Sequence, residues 1–139
     1  VKLSKDKEIK DYSNVVKPDV TIVFDTSLLL LPGVLDEIHA ASGNPKAIIN
    51  SNEVNFDTSI FNDNVEVYQV DGTGISIDIN LYVSGNPILN VPLLGAYAEI
   101  MGDIDFNKVE RILIKKFGPK GALNYEAVKR AAKEVKKIQ

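Results

Sequence analysis

One segment of this sequence, residues 92–101, is apolar at nearly every position, and it limits the folds that the chain can adopt. A helix built from it has almost no polar face, so we expect it to be buried against a sheet. Asn90 is the predicted N-cap, Pro92 falls in the first turn, and Gly102 ends the helix as a left-handed residue. Such a helix either serves packing alone or forms one wall of a ligand cleft, and packing is the more common case.

Short strands and helices alternate along the chain. The β-branched or alternating runs at 19–24, 47–50 and 65–70 predict strands, and we interpret residues 1–3 as the end of another. Periodic apolar positions predict helices over 34–41, 75–83, 109–117 and 123–138. For 75–83 a strand is the alternative prediction, because the segment contains β-branched residues. This alternation predicts an α/β fold with a three-layer, doubly wound, mostly parallel sheet and helices on both faces. We expect one domain over residues 1–139.

Polar side chains follow the predicted strands. Asp25 and Thr26 follow the first, Asn50 and Ser51 the second, and Asp71 to Thr73 the third, with Asn90 as a fourth group. In a mostly parallel sheet ligands bind beyond the carboxyl ends of the strands. Such residues also cap helices routinely, so capping and ligand binding are about equally good interpretations of each one. The candidate binding residues are Asn50, Ser51, Asp71, Thr73 and Asn90.

The composition excludes several classes of chemistry. The chain has no Cys, which rules out disulfides, Fe–S ligation and thiolate-bound zinc and fits a reducing, cytoplasmic compartment. Its one His, His39, cannot build a His-rich metal site, and a structural role is the better interpretation of it. No apolar run reaches the length of a membrane span, and no signal peptide is visible. We therefore predict no metal site and no membrane contact.

The charge is divided unevenly along the chain. Residues 1–106 carry 16 acidic and 6 basic side chains, whereas residues 107–139 carry 3 acidic and 10 basic ones. This asymmetry indicates either a polyanionic partner or a solvated helix face. The solvated face is favoured, and nucleic acid is not expected, because no aromatic residues interleave with the lysines.

Known catalytic and nucleotide-binding motifs are missing. The sequence has no G-x-G-x-x-G after a strand, no P-loop and no G-x-S-x-G elbow. The turn Asp71-Gly72-Thr73-Gly74 offers backbone N–H groups to a phosphate, but two glycines are a weak signal. From the residues alone we predict a cleft without a catalytic residue.

The order of several short motifs resembles the gamma subunit, or gamma domain, of 2-oxoacid:ferredoxin oxidoreductases. The motifs are Lys-Pro-Asp-Val-Thr-Ile-Val-Phe-Asp at 17–25, Ala-Ile-Ile-Asn-Ser at 47–51, Val-Tyr-Gln-Val-Asp-Gly-Thr at 67–73, Asn-Val-Pro-Leu-Leu-Gly-Ala-Tyr at 90–97, Lys-Phe-Gly-Pro-Lys at 116–120 and Asn-Tyr-Glu-Ala at 124–127. Each motif is weak alone, whereas their order and spacing cover nearly the whole chain. The family opens with a further strand and a Gly-x-Gly-Gly-x-Gly turn, so the resemblance implies a chain that is incomplete at its N-terminus.

The resemblance also implies a function. Complexes of this kind decarboxylate a 2-oxoacid such as pyruvate on thiamine diphosphate, pass electrons through Fe–S clusters to ferredoxin and release acyl-CoA. The gamma part supplies neither the thiamine site nor the clusters, which belong to alpha-, beta- and delta-type partners; it is implicated in holding CoA. On this hypothesis the chain is not catalytic alone, and the five candidate residues line the cleft that meets CoA.

Two other hypotheses stay open at this stage. In the first, the chain is a non-catalytic assembly or ligand-binding α/β module, and the residues at the strand ends act only as caps. In the second, which the missing fingerprints disfavour, it is a stand-alone nucleotide-binding enzyme.

Overall fold

The centre of the protein is a four-stranded, mostly parallel sheet. The computed structural model describes residues 1–4, 6–41 and 43–139. Its regular elements, in chain order, are β1 (Val20–Val23), a 3-10 segment (Thr26–Leu30), α1 (Val34–His39), β2 (Lys46–Asn50), a 3-10 turn (Thr58–Ile60), β3 (Glu66–Val70), α2 (Gly72–Asp78), β4 (Tyr82–Val83), β5 (Asn86–Pro87), α3 (Asn90–Met101), α4 (Phe106–Phe117), a 3-10 turn (Gly118–Lys120), α5 (Gly121–Glu134) and β6 (Lys136–Lys137). The sheet order is β1-β2-β3-β6. β1, β2 and β3 are parallel, and β6 is antiparallel to β3.

Helical segments cover both faces of this sheet, because successive strand residues point to opposite sides. On one face the 3-10 segment after β1, α1 and the β2–β3 connection bury a cluster made of Val23, Leu29, Ile38, Ala47, Ile49, Phe61, Val65 and Val67. On the other face α2, α3, α4 and α5 bury a cluster made of Ile48, Val70, Ile75, Leu81, Val91, Leu93, Ala96, Val109, Leu113, Ala127, Val128 and Ala131. The predicted α/β fold class and its three layers are confirmed.

The apolar helix, α3, is buried as its composition predicts, and its most extensive packing is with α5. The two helices approach closely at Gly95, where an added Cβ would lie 2.8 Å from the Cα of Val128. Only glycine fits at such a crossing, because any side chain would displace the facing backbone. Gly102 ends α3 in the left-handed conformation, with φ of 64°, as predicted.

The C-terminal residues correct one prediction. The interpretation of 123–138 as a single helix is wrong, because α5 ends at Glu134 and the chain turns extended at Val135. β6 then pairs with β3, and Ile138 packs into the cluster on the α1 face of the sheet. The side chain of Gln139 donates to the carbonyl of Val65. Hydrogen bonds to the edge of β3 therefore replace a further turn of helix.

Three smaller predictions also need correction. The helix predicted over 75–83 is shorter, since α2 ends at Asp78 and the chain forms a β4–β5 hairpin whose turn residues Ser84 and Gly85 both have positive φ. Two-residue turns with positive φ match the twist of a hairpin. Residues 1–3 form no strand. Of the periodic apolar positions that predict the helix over 109–117, Val109 and Leu113 are buried in α4, whereas Ile112 and Phe117 are exposed.

None of the helices in the described part of the chain is long and apolar enough to span a bilayer.

Candidate functional site

The carboxyl ends of β1, β2 and β3 are joined by one side chain, that of Asn50. Its Nδ2 donates to the carbonyl oxygen of Phe24 at 2.9 Å and to Oγ1 of Thr73 at 3.0 Å. Its Oδ1 accepts a hydrogen bond from the backbone N–H of Thr73 at 3.3 Å. Asn50 is the last residue of β2, so the parallel register brings it between the segments that leave the two neighbouring strands. This side chain therefore sets the relative position of three strand ends.

Two further hydrogen-bonded turns shape this edge. Asp71 caps α2, and its Oδ1 accepts from the N–H of Gly74 at 2.7 Å. Ser51 begins the loop after β2, where its Oγ accepts from the N–H of Glu53 at 3.1 Å. The buried side chain of Gln69 donates to the carbonyl oxygens of Ser51 at 3.2 Å and of Glu53 at 2.8 Å. The loop after β2 is thus fixed to β3.

These residues surround an open cavity of about 240 Å³. It is lined by Asn50, Ser51, Asn52, Asp71, Thr73, Gly74 and Ile77. Four of the five predicted site residues therefore come together. Asn52 and Ile77 were not predicted; Asn52 lies in a loop rich in polar residues, and Ile77 belongs to an apolar pattern that favours the core. Among the residues that the structure describes, the lining holds one carboxylate, that of Asp71, and no cationic side chain.

Asn90, the fifth predicted residue, is placed elsewhere. It is the first residue of α3 and is exposed, whereas Leu89 occupies the N-cap position without a side-chain cap hydrogen bond. The prediction that Asn90 caps the helix is therefore wrong. The first turn of α3 reaches the site through Pro92 instead, because a Cβ added to Gly72 would lie 3.3 Å from Pro92 Cγ and 3.2 Å from Asn50 Oδ1.

Two titratable residues named in the sequence have structural partners. Asp25 caps the 3-10 segment, and hydrogen bonds from the hydroxyl and the backbone N–H of Ser27 lower the pKa of its carboxyl. His39 Nε2 accepts from the N–H of Asn62 at 3.3 Å, and its ring meets Phe61 edge-on. Within residues 1–4, 6–41 and 43–139, no three His, Asp or Glu side chains come together as a metal site.

A charged cluster lies at the amino ends of the strands, away from the cavity. Glu66 Oε2 accepts from Lys46 at 2.9 Å and from the Tyr68 hydroxyl at 2.7 Å, and Lys137 lies 3.6 Å away. Hydrogen bonds from Tyr68 and Lys46 lower the pKa of Glu66 to about 2. Burial, together with the Glu66 carboxylate, raises the pKa of Tyr68 to about 12. Because Lys137 belongs to β6, this cluster fastens the antiparallel strand to the sheet.

The fold and the cavity define an α/β domain with a polar cleft at the carboxyl edge of a mostly parallel sheet. The sequence model of one family, described as pyruvate ferredoxin/flavodoxin oxidoreductase, matches residues 1–134, and the chain belongs to this family.

Individual relatives agree with this assignment. Pyruvate synthase subunit PorC of Methanothermobacter thermautotrophicus is 26% identical over 135 residues, which are 96% of this chain and 68% of that protein. The PorC subunit of Methanocaldococcus jannaschii is 29% identical over 133 residues, covering 95% of this chain and 68% of that protein. The crystal structure of pyruvate oxidoreductase subunit PORC from Thermotoga maritima matches with a TM-score of 0.72 and 25% identity, over 90% of this chain and 67% of that one.

The resemblance to the gamma subunit of 2-oxoacid:ferredoxin oxidoreductases is therefore confirmed, and with it the prediction of a chain that is one subunit of an enzyme. The chain spans about two thirds of the length of these relatives. The candidate residues, the cofactors and the identity of the partner subunits stay predictions.

Proposed function

We propose that this chain is the gamma-type subunit of a cytoplasmic complex that oxidatively decarboxylates a 2-oxoacid to an acyl-CoA, with ferredoxin as electron acceptor. Pyruvate is the proposed 2-oxoacid, because the relatives are named pyruvate synthase subunits. Thiamine diphosphate and the Fe–S clusters would be held by the partner subunits. The contribution of this chain is then to position a substrate, since the bond-breaking chemistry is supplied by the cofactor.

Within this complex we place CoA at the cavity beside Asn50. The hydrogen-bond network of Asn50 is the observation that supports this placement, because it holds the strand ends rigidly and leaves other groups at the cavity free. Thr73 Oγ1 accepts from Asn50, so its own proton can be donated into the cavity. Ser51 Oγ accepts from Glu53 and likewise keeps its proton to donate. Hydrogen-bonding groups that the fold already holds in position can orient a ligand with a smaller loss of conformational entropy in the site.

The lining also indicates which part of CoA would lie there. The described lining, with the Asp71 carboxylate and no cationic side chain, disfavours phosphates, whose recognition uses Arg, Lys or clustered N–H groups. The pantetheine arm carries neutral amides, which pair well with hydroxyl, amide and carboxylate groups. We therefore assign Ser51, Asp71 and Thr73 to contacts with that arm, and Asn50 to holding them in position.

The experiment is a steady-state assay of the purified complex with saturating 2-oxoacid, varied CoA and a dye as electron acceptor. Thr73→Val keeps the shape of the side chain and removes the hydroxyl, so we expect the KM for CoA to rise about three- to tenfold, as the loss of one hydrogen bond implies. Ser51→Ala should act in the same direction. Thr58→Val, in a 3-10 turn away from the cavity, is the matched control. An unchanged KM for CoA in both cavity variants would contradict the placement of CoA here.

Asn90→Ala tests the remaining predicted residue. Because Asn90 makes no cap hydrogen bond, its replacement should leave the free energy of unfolding within ~0.5 kcal/mol of the parent. A loss of CoA-dependent turnover without a loss of stability would assign Asn90 to the cleft together with a partner subunit.

The alternative, a non-catalytic assembly module, is supported by a different surface. An open groove of about 910 Å³ runs beside β1, which is one of the two edge strands of the described sheet, and includes Ile22, Phe24, Tyr97 and Met101. On this hypothesis the cavity variants would leave all kinetic constants unchanged, whereas substitutions in the groove would release the chain from the complex.

A further inference from the structure

One exposed face of α4 combines cations with an apolar residue. Lys108, Arg111, Ile112 and Lys115 are all exposed, and we call these four residues the α4 face. Their spacing of three and four residues places them side by side on a helix. Ile112 lies between Lys108 and Lys115 along the helix axis, at the edge of the face nearest the core, and keeps 62% of its surface exposed. Val109 and Leu113, about 60° and 100° around the helix from Ile112, are buried in the core. None of the four residues lines the cavity beside Asn50.

The cations of the α4 face differ from those of α5. On α5, Lys129 pairs with Glu126 at 2.9 Å, and Arg130 pairs with Glu134 at 3.1 Å and with Asp78 at 3.2 Å. Among the ion pairs formed within the described part of the chain, none includes a residue of the α4 face. Like charges at this spacing repel one another and weaken a helix. In the described part of the chain, the three cations of the α4 face therefore lack the carboxylate partners that Lys129 and Arg130 have on α5.

We propose that the α4 face is a docking surface for an acidic polypeptide, whose carboxylates meet the three cations beside an apolar contact at Ile112. Charge complementarity selects the partner, because three cations within ~10 Å of helix would attract and orient a cluster of carboxylates. Ile112 would supply an apolar contact at the edge of this face, next to the cations. This proposal does not depend on the binding of CoA.

Other occupants fit the face less well. A nucleic acid would leave Ile112 against phosphates, and the face has no aromatic side chain on which a base could stack. Two copies that met through the same face would bring cations against cations. If the acidic residues 1–106 of one copy docked onto the α4 face of a second copy, the contact would be heterologous. Such contacts build open-ended filaments unless the rotation between successive copies closes a ring.

Zero-length cross-linking tests the proposal on the intact complex. The complex, purified from its source through a tag on this chain, is treated with a carbodiimide, which joins lysines to carboxylates in direct contact. We expect Lys108 and Lys115 to be joined to Asp or Glu residues of another polypeptide. Links found only within this chain, or only between two copies of it, would overturn the proposal.

Charge reversal measures the contribution of the face to affinity. With the cross-linked polypeptide as titrant, the variant Lys108→Glu, Arg111→Glu, Lys115→Glu should bind about tenfold more weakly or worse, because like charges then face one another. The control is Lys7→Glu, Lys10→Glu, Lys136→Glu, which makes the same change of net charge at exposed positions outside the groove beside β1. Equal affinities of the two variants would refute the assignment. The assignment would also be refuted if the charge-reversal variant lost its binding to anionic vesicles or single-stranded DNA but kept its affinity for the polypeptide.

A second pair of variants separates docking from folding. Ile112→Ser should weaken binding about threefold or more through the loss of its apolar contact. Ile114→Ser is the matched control, because Ile114 is 47% exposed on the same helix but lies two residues, and about 200°, around it. If both serine variants bind alike, Ile112 does not contribute to the interface and the proposal fails.

Discussion

Replacing Asn50 by alanine tests how the candidate site is held together. The change removes a side chain that is 9% exposed and makes three hydrogen bonds to the segments after β1 and β3. The carbonyl of Phe24 and two groups of Thr73 lose their partner at once. Each hydrogen bond contributes about 1 kcal/mol net, and an unsatisfied buried group costs more. Water can reach Thr73, which is only half-buried, so we expect a loss of about 2–3 kcal/mol in the free energy of unfolding.

Urea unfolding followed by far-ultraviolet circular dichroism measures this loss as a lower midpoint with an unchanged slope. Asn52→Ala is the matched control, since Asn52 lines the same cavity but is exposed. We expect Asn52→Ala to change stability by less than ~0.5 kcal/mol. Asn50→Asp should be destabilised at neutral pH as well, because a carboxylate oxygen would face the carbonyl of Phe24. If Asn50→Ala and Asn52→Ala unfold at the same urea concentration, Asn50 does not organise the site.

Three further predictions concern the framework. Gly95→Ala should lower the free energy of unfolding by about 1–2 kcal/mol, because the clash with Val128 outweighs the gain in helix propensity; an unchanged urea midpoint would contradict it. The pKa of Glu66 is lowered from 4.5 to about 2, so the stability that it contributes, roughly 1–2 kcal/mol after screening, is present above pH 4.5 and disappears as the pH falls through about 2. In the Glu66→Gln variant, the melting temperature should depend less on pH over that range than it does in the parent protein. Ser76→Ala removes a buried hydroxyl that donates to the carbonyl of Ile88. We expect the free energy of unfolding to fall by about 1–2 kcal/mol and amide exchange in the β4–β5 hairpin to become faster.

Local patterns were sufficient to predict the centre of the fold. The runs at 19–24, 47–50 and 65–70 became β1, β2 and β3, each within two residues of the predicted bounds. β-Branched and alternating apolar residues mark segments that fit a pleated, half-buried surface, so a local pattern was enough to locate these strands. The site residues at the ends of β2 and β3 followed from the same logic, because parallel strands place their carboxyl ends at one edge.

The failed predictions share a different origin. Asn90 has the composition of an N-cap, but the helix begins one residue earlier, with Leu89 at the N-cap position. The two lysines of β6 follow a helical pattern in sequence, yet they leave α5 and pair with β3. In both cases contacts with a distant part of the chain outweighed a preference worth about 1 kcal/mol.

The amino-acid sequence by itself determined the α/β class, the burial of α3 and the grouping of Asn50, Ser51, Asp71 and Thr73, because each of these depends on hydrophobic pattern and strand direction. The tertiary structure alone decided that Asn50 bonds to both neighbouring segments and that, among the ion pairs of the described residues, Lys129 and Arg130 of α5 have carboxylate partners whereas the α4 face has none. The side-chain bond from Gln139 to the carbonyl of Asn62 spans 77 residues. The free energy of such contacts depends on distances that the fold creates, and no local pattern encodes them.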